Sequence, residues 1–227
     1  MQNSFPLIQW LPRCGALVTA LSSFVLMSGC SHPSPSSPSA TLPPTSILVA
    51  VDRSESTRPL RTQFFSQMDT VTNYAISQDL PVDVWAYDRS ALRVYGPRHP
   101  QTRDDLDQIK RTELAPNDLH LRTITRPALL LEAMVHDQTM HHSTGVFAVV
   151  LTDGDAEEAD DEPRLVAAAR ALGTDPSFRM AVIDIKPADR KMWDNALAKA
   201  MPGRYVLAGQ AEGDASLKQF LQGKIAQ

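Results

Sequence analysis

The sequence predicts an α/β domain, doubly wound around a mostly parallel six-stranded sheet with one antiparallel edge strand and helices on both faces. Apolar runs of strand length alternate with segments in which apolar residues recur at helical spacing. Two runs, 47–51 and 147–151, are apolar on both faces, which is typical of strands buried in a parallel sheet. The runs 82–87 and 92–95 are joined by a segment too short for a parallel crossover, so they must form a hairpin.

Each strand is predicted from a short apolar run bounded by polar or turn-forming residues. The predicted strands are 47–51, 82–87, 92–95, 147–151, 180–185 and 205–207. The hairpin connection is Asp88-Arg89-Ser90. The two tryptophans within these elements, Trp85 and Trp193, are expected to pack in the core or on the flank of the sheet.

The helices are predicted from apolar periodicity and from prolines near their starts. Helices are expected at about 59–77, 103–113, 126–136, 162–172, 189–200 and 214–225. In the first of them Phe64, Met68 and Val71 recur on one face. Pro59 and Pro127 stand where a first helical turn tolerates proline.

Residues 1–29 are typical of a secretory signal. Arg13 precedes an apolar stretch, 16–27, that is too short to span a bilayer comfortably. The following Ser28-Gly29-Cys30 resembles the bacterial lipoprotein processing site, with Cys30 as the lipidated first residue of the mature chain. Because Cys14 would leave with the signal, one thiol would remain, and a single thiol cannot form an internal disulfide. The alternatives are an ordinary cleaved signal and an uncleaved anchor.

The rest of the chain divides into a tether and one domain. Residues 30–45 are rich in Ser and Pro, which predicts a disordered or polyproline-type tether, and 46–227 fit a single domain. Ser31 follows Cys30, which favours the outer membrane by resemblance to lipoprotein sorting in Gram-negative bacteria. We therefore expect a lipid-anchored protein of the bacterial cell envelope, at the periplasmic face or the surface. The formal net charge of −4 disfavours a nucleic-acid partner.

Oxygen-bearing side chains follow two of the predicted strands. Asp52, Ser54 and Ser56 come at alternate positions after the run 47–51, and Thr152-Asp153-Gly154 follows a second apolar run. Such side chains supply only oxygen ligands, which suit a hard divalent cation such as Mg²⁺. The structural alternative is that these residues cap a helix and form a turn, since Asp and Ser favour both positions.

The two motifs resemble the metal-ion-dependent adhesion site of the von Willebrand factor type A (vWA) family, and the resemblance covers 46–227. That site begins Asp-x-Ser-x-Ser and continues with a Thr on a middle loop and an Asp in a strand-Thr-Asp-Gly run. The cation implied by the resemblance is Mg²⁺ or Mn²⁺. The metal-site residues it implies are Asp52, Ser54, Ser56, Thr123 and Asp153.

The middle-loop segment departs from the family pattern at two positions. From Thr123 onward, the segment 123–129 follows the family's Thr-x-apolar-x-x-Ala-Leu, except that Thr125 fills the apolar slot. Thr125 is the second choice for the ligand. Arg122 stands where the family usually has Gly before the Thr.

The family's strand order, 3-2-1-4-5-6, gives a separate reason to expect a site here. In open α/β sheets, ligands bind beyond the carboxyl ends of the strands where the strand order reverses. In this order the reversal lies between the first and fourth strands, which end at Asp52 and Asp153.

The resemblance implies a non-catalytic, membrane-tethered domain for adhesion or assembly. Two carboxylates and three hydroxyls balance a divalent cation, and an open coordination position would attract an Asp or Glu carboxylate of a protein partner. Arg53, Arg122 and Arg126 are candidates for steering an acidic partner, although solvated loop charges are the commoner case. In family members with a regulated site, the last helix moves, and its counterpart here is 214–225.

Two other functions remain open. A Mg²⁺-dependent phosphoryl-transfer enzyme would use a strand-end Asp, but aspartyl-phosphate phosphatases carry a second Asp where this chain has Ser54. A structural vWA domain that has lost its metal is the other alternative, suggested by Arg122.

Two further groups of residues do not fit the pattern of a metal site. The histidines 136, 141 and 142 lack the spacing of a zinc site. The acids within 155–162 are interpreted as the solvated start of a helix rather than a Ca²⁺ loop.

Overall fold

The computed structural model of the chain describes residues 44–114, 125–141, 145–155 and 161–225, without the side chains of 139–141. Several expectations fall on other residues. Cys30, the signal, most of the Ser/Pro-rich tether, Arg122 and Thr123 lie outside the described residues, and their assignments stay predictions. The same holds for His142 and for the acids within 156–160.

The described residues form one six-stranded sheet with the order β3-β2-β1-β4-β5-β6. Strands β2 and β3 pair antiparallel, and the other neighbouring strands pair parallel. This confirms the predicted fold class, including the antiparallel edge strand. The strands are β1 (Ser46–Asp52), β2 (Val82–Tyr87), β3 (Ala91–Arg98), β4 (Val146–Leu151), β5 (Arg179–Ile183) and β6 (Tyr205–Ala208).

Six helices cover the two faces of the sheet in the part of the chain that is described. A 3-10 turn, Arg58–Leu60, precedes the first helix, so the proline lies in the turn rather than in the helix proper. The last helix begins as predicted and ends four residues earlier than expected. The helices are α1 (Arg61–Gln78), α2 (Asp104–Thr112), α3 (Pro127–His141), α4 (Asp161–Gly173), α5 (Arg190–Ala200) and α6 (Gly213–Leu221).

The core lies in two layers, one on each face of the sheet. In β1, Leu48 and Ala50 pack with residues of α3, α4 and α5, whereas Ile47, Val49 and Val51 pack with residues of α1, α2 and α6. Both faces of β1 are therefore buried, as the continuous apolar run predicted. Trp85 and Trp193 are buried, which confirms their expected place. No helix within the described ranges is both long and apolar enough to cross a bilayer.

The neighbouring parallel strands β1 and β4 bring the two motifs to one edge of the sheet. Their register pairs Val51 with Leu151, so Asp52 and Thr152 follow at the same level. The chain enters the sheet at the opposite edge, where the Thr45 backbone N–H donates to the Gly145 carbonyl over 3.0 Å. The pairing of β1 with β4 therefore fixes the position of Asp52 relative to Thr152 and Asp153.

Candidate metal centre

Asp52 is the fully buried carboxylate at the end of β1. Its Oδ1 accepts a hydrogen bond from the Ser54 backbone N–H over 2.8 Å, and its Oδ2 accepts one from Thr152 Oγ1 over 2.7 Å. These bonds fix the orientation of the carboxylate and join the ends of β1 and β4. Each oxygen keeps a further lone pair, so the carboxylate can still accept another bond.

The loop after β1 brings two hydroxyls together. Ser54 Oγ and Ser56 Oγ lie 3.1 Å apart. The loop itself is held by Thr57 Oγ1, which donates to the Asp52 carbonyl over 3.1 Å and to the Ser54 carbonyl over 2.9 Å. Neither serine caps the helix that follows, since the 3-10 turn and α1 begin without a side-chain cap. The paired hydroxyls are thus not explained by helix capping.

Asp153 is the second fully buried carboxylate at this edge. Its Oδ1 accepts a hydrogen bond from the Asp155 backbone N–H over 3.2 Å, and its Oδ2 lies 2.8 Å from the Lys186 ammonium nitrogen. Gly154 has φ +90°, and a Cβ there would lie 2.5 Å from Ile185 Cγ1. The Thr-Asp-Gly turn therefore requires glycine both for its backbone and for its close packing on the segment after β5.

Thr152 connects the two acidic residues. It donates to Asp52 Oδ2, and its Oγ1 accepts from the Gly154 backbone N–H over 3.0 Å. The sequence named this residue only as part of the motif and assigned it no role. The strand order already placed it beside Asp52, so the contact was accessible from topology.

Burial of two carboxylates at one edge raises the pKa of Asp52 from 3.8 to about 6. Loss of hydration is the largest cause, and the negative charge of Asp153 adds to it, whereas the hydrogen bonds from Ser54 and Thr152 lower the pKa. Beside the site, the buried Arg61 donates to the Ser54 carbonyl over 3.3 Å, and its charge interacts with Asp52. The site therefore favours any added positive charge.

The structure describes only the last part of the middle loop, from which the sequence predicts a Thr ligand. Thr125 is buried, and its Oγ1 has no hydrogen-bond partner within the described structure. The Arg126 backbone N–H donates to the Asp88 carbonyl over 3.0 Å, which places the start of α3 beside the end of β2. Thr125 is thus an available hydroxyl, while Thr123 lies outside the described residues.

Arg53, which the sequence left open as a steering residue or a solvated loop charge, forms contacts within the local structure. Its guanidinium donates to Asp88 Oδ2 over 3.2 Å and to the Glu113 carbonyl over 3.1 Å. It ties the loop after β1 to the ends of β2 and α2. The structure therefore assigns Arg53 a positioning contact.

The donor set fits a hard cation and does not fit a soft one. Among the described residues no group of three or more His, Cys, Asp or Glu side chains could hold a metal. Any metal site at this edge must combine the two carboxylates with hydroxyls. The loop after β1 offers the paired serine hydroxyls, and Thr125, just before α3, offers a further buried hydroxyl.

No protein-family profile and no curated protein sequence matches the chain. Solved structures do match. A von Willebrand factor type A domain from Catenulispora acidiphila is 17% identical over 80% of this chain, with a TM-score of 0.57. The manganese-loaded TRAP protein of Plasmodium vivax is 17% identical over 78% of this chain, also with a TM-score of 0.57. The chain has the von Willebrand factor type A fold.

A third vWA-like structure is the proximal thread matrix protein 1 from the mussel byssus with a zinc-occupied MIDAS motif. It is 10% identical over 80% of this chain, with a TM-score of 0.53. This chain spans 43% of the C. acidiphila structure, 48% of the mussel structure and 73% of the TRAP structure. At these identities the likeness establishes the vWA fold and leaves the function to be argued from the site.

Proposed function

We propose that this vWA domain binds Mg²⁺ or Mn²⁺ at the carboxyl ends of β1 and β4 and thereby captures an Asp or Glu carboxylate of a protein partner. One observation carries the proposal. The Asp52 carboxylate is held by the Ser54 N–H of the loop after β1 and by the Thr152 hydroxyl after β4, and the same loop brings the Ser54 and Ser56 hydroxyls within 3.1 Å of each other. Oxygen atoms from separate segments of the chain thus converge where the fold places ligands.

The residues have distinct roles in this proposal. Ser54, Ser56 and a middle-loop Thr, either Thr123 or Thr125, would hold the cation directly. Asp52 and Asp153 would supply the negative charge, and Thr152 keeps Asp52 oriented. A bound divalent cation supplies a coordination position that the partner's carboxylate can fill.

The neighbouring structures support divalent-metal binding, because one is manganese-loaded and another has a zinc-occupied MIDAS motif. A non-catalytic role is supported by Ser54, which stands where aspartyl-phosphate phosphatases carry a second Asp. The proposal includes a lipid anchor at Cys30 and a place in the bacterial cell envelope. Those two parts rest on the sequence alone.

The test measures cation binding and partner capture with the full chain. Calorimetry with Mg²⁺ and with Mn²⁺ should show binding to the wild type and none to Asp52→Asn, which keeps the shape of the side chain and removes its charge. Asp104→Asn, at an exposed residue of α2, is the matched control and should bind as the wild type does.

Pull-down from envelope extracts should then recover a partner with the wild type and with Asp104→Asn, and lose it in chelator or with Asp52→Asn. Partner recovery that is the same in chelator would refute carboxylate capture through a metal. Absence of cation binding by the wild type would refute the whole proposal.

A further inference from the structure

We propose that Lys186 is the built-in counter-ion of the metal-free site, which a divalent cation must displace from Asp153, and that Lys186 thereby sets the cation affinity. This inference rests on the proposed metal-binding function and concerns its control. It assigns a role to a residue that the motif does not contain.

The first argument is the contact itself. Lys186 Nζ lies 2.8 Å from Asp153 Oδ2 and 3.7 Å from Asp155 Oδ2. The Asp153 side chain is 0% exposed and that of Lys186 is 42% exposed. A buried carboxylate is thus neutralised by a side chain that reaches it from the solvent side.

The second argument is that the lysine is anchored at its backbone and free to move along its stem. The Lys186 backbone N–H donates to the Asp153 carbonyl over 2.7 Å, and the preceding Ile185 N–H donates to the Ala208 carbonyl over 3.1 Å. The Cα of Lys186 is therefore held beside the site by two strands. Its flexible four-carbon stem can carry the ammonium away into solvent without a change in the fold.

The third argument is electrostatic. A buried carboxylate that loses its partner charge destabilises the protein, and Asp52 and Asp153 are both fully buried at this edge. A divalent cation serves both carboxylates, whereas the single charge of Lys186 pairs with Asp153. Displacement therefore exchanges one counter-ion for a stronger one and releases the ammonium to water.

Arg61 shows why the displaced group is Lys186 and not the other nearby cation. The Arg61 guanidinium is buried and donates to the Ser54 carbonyl, so it stays in place as part of the loop. The Lys186 ammonium pairs with Asp153 and Asp155, and its side chain is partly exposed to solvent. Of these two described cations, the lysine is the one that can leave at lower cost.

Calorimetric titration of the full chain with Mn²⁺ and with Mg²⁺ tests the inference. If Lys186 occupies Asp153 about nine-tenths of the time, Lys186→Gln should bind the cation about tenfold more tightly than the wild type. Lys186→Arg keeps the pairing charge and should stay within about twofold. Lys191→Gln removes one exposed lysine from the nearby α5 and is the matched control, which should also stay within about twofold.

A spectroscopic readout separates direct displacement from a general charge effect. The Lys186 ammonium protons should be protected from exchange in the metal-free protein and should lose that protection when Mg²⁺ is added. Cation affinity in Lys186→Gln equal to or below that of the wild type would overturn the inference, as would an ammonium signal unchanged by saturating Mg²⁺.

The failure of the inference is distinguishable from the failure of the proposed function. Equal cation affinities for wild type and Lys186→Gln overturn the inference and leave the metal site intact. Binding by Lys186→Gln alone supports the inference, because Lys186 then excludes the cation, and overturns the proposed function of the wild type. Binding by neither protein overturns both.

Discussion

At the scale of single residues, the site depends on a few hydroxyl groups that hold the carboxylates in place. Thr152 is the clearest case, because one hydroxyl serves Asp52 as a donor and the Gly154 backbone as an acceptor. Valine would keep its methyl group and its backbone position after β4. The hydroxyl can therefore be removed with little change of shape.

We expect Thr152→Val to lower the free energy of unfolding by about 1–3 kcal/mol, because a buried carboxylate oxygen and a buried N–H lose their partner. Cation affinity should fall as well, since Asp52 is no longer held. Urea denaturation and calorimetry measure the two effects. Thr70→Val on α1, where the hydroxyl donates only to the Ser66 carbonyl, is the control and should change stability by less than about 0.5 kcal/mol. Cation affinity that is unchanged in Thr152→Val would contradict this role.

Residue-scale contacts of this kind were the part least accessible from the sequence. The motif spacing named Asp52, Ser54, Ser56 and Asp153, and the structure places all four at one edge. The Lys186 pairing was missed, because it depends on the direction of one flexible side chain. Topology alone indicated only that the segment after β5 lies beside β4.

At the scale of elements, the segment after β5 contains a buried acid with a left-handed backbone, which lies beside α1 and α6. Asp184 has φ +71°, is fully buried, and accepts a hydrogen bond from Gln63 Nε2 of α1 over 2.8 Å. Its Oδ2 has no hydrogen-bond partner in the described structure. Burial, with a contribution from the negative charge of Asp214 in α6, raises the pKa of Asp184 from 3.8 to about 6.

Because the folded-state pKa is raised, the ionised Asp184 destabilises the domain above about pH 6, and this cost disappears as the pH falls toward 3.8. We expect Asp184→Asn to stabilise the domain by about 2 kcal/mol at pH 8 and by much less near pH 4. Asparagine also tolerates the left-handed backbone. Urea denaturation at the two pH values measures the difference.

Asp79→Asn is the matched control for that measurement. Asp79 also has a left-handed backbone, with φ +52°, but its side chain is 91% exposed. The change there should stay within about 0.5 kcal/mol at both pH values. A destabilised Asp184→Asn protein at pH 8 would show that the ionised carboxylate holds α1 and α6 together.

Residues with a left-handed backbone explain why two predicted element boundaries were wrong. The apolar pattern predicted that the fifth strand continues to Ile185, but the strand ends at Ile183, since the left-handed Asp184 leaves the extended conformation. The last helix was predicted to reach Ile225 and ends at Leu221, shortly before Gly223, which has φ +75°. Apolar periodicity locates an element, whereas a single backbone angle decides where it ends.

At the scale of the whole molecule, the fold and the site are linked by the strand order. The predicted doubly wound sheet is confirmed, with the reversal of order between β1 and β4. The fold class and the hairpin could be anticipated from the apolar runs, the helical periodicity and one short connection, whereas the strand order came from the resemblance to the vWA family. A cation bound between the ends of β1 and β4 would bind only the folded domain. Metal binding should therefore raise the free energy of unfolding.

We expect saturating Mg²⁺ or Mn²⁺ to raise the free energy of unfolding of the wild type by about 2.7 kcal/mol at a hundredfold excess over Kd. Thermal melts with and without chelator measure the shift. Asp52→Asn should show none, because its melting temperature would no longer depend on the cation. A wild-type melting curve that is the same in chelator and in Mn²⁺ would contradict a folded-state metal site.

The chain enters the sheet at the end of the strands opposite to the candidate metal site. Thr45 is bonded to Gly145 at the amino ends of the strands, whereas Asp52 lies at the carboxyl end of β1. The seven residues of the extended strand β1 separate these two ends of the sheet by roughly 20 Å. A ligand bound at Asp52 would therefore lie about one strand length away from the point where the chain enters the sheet.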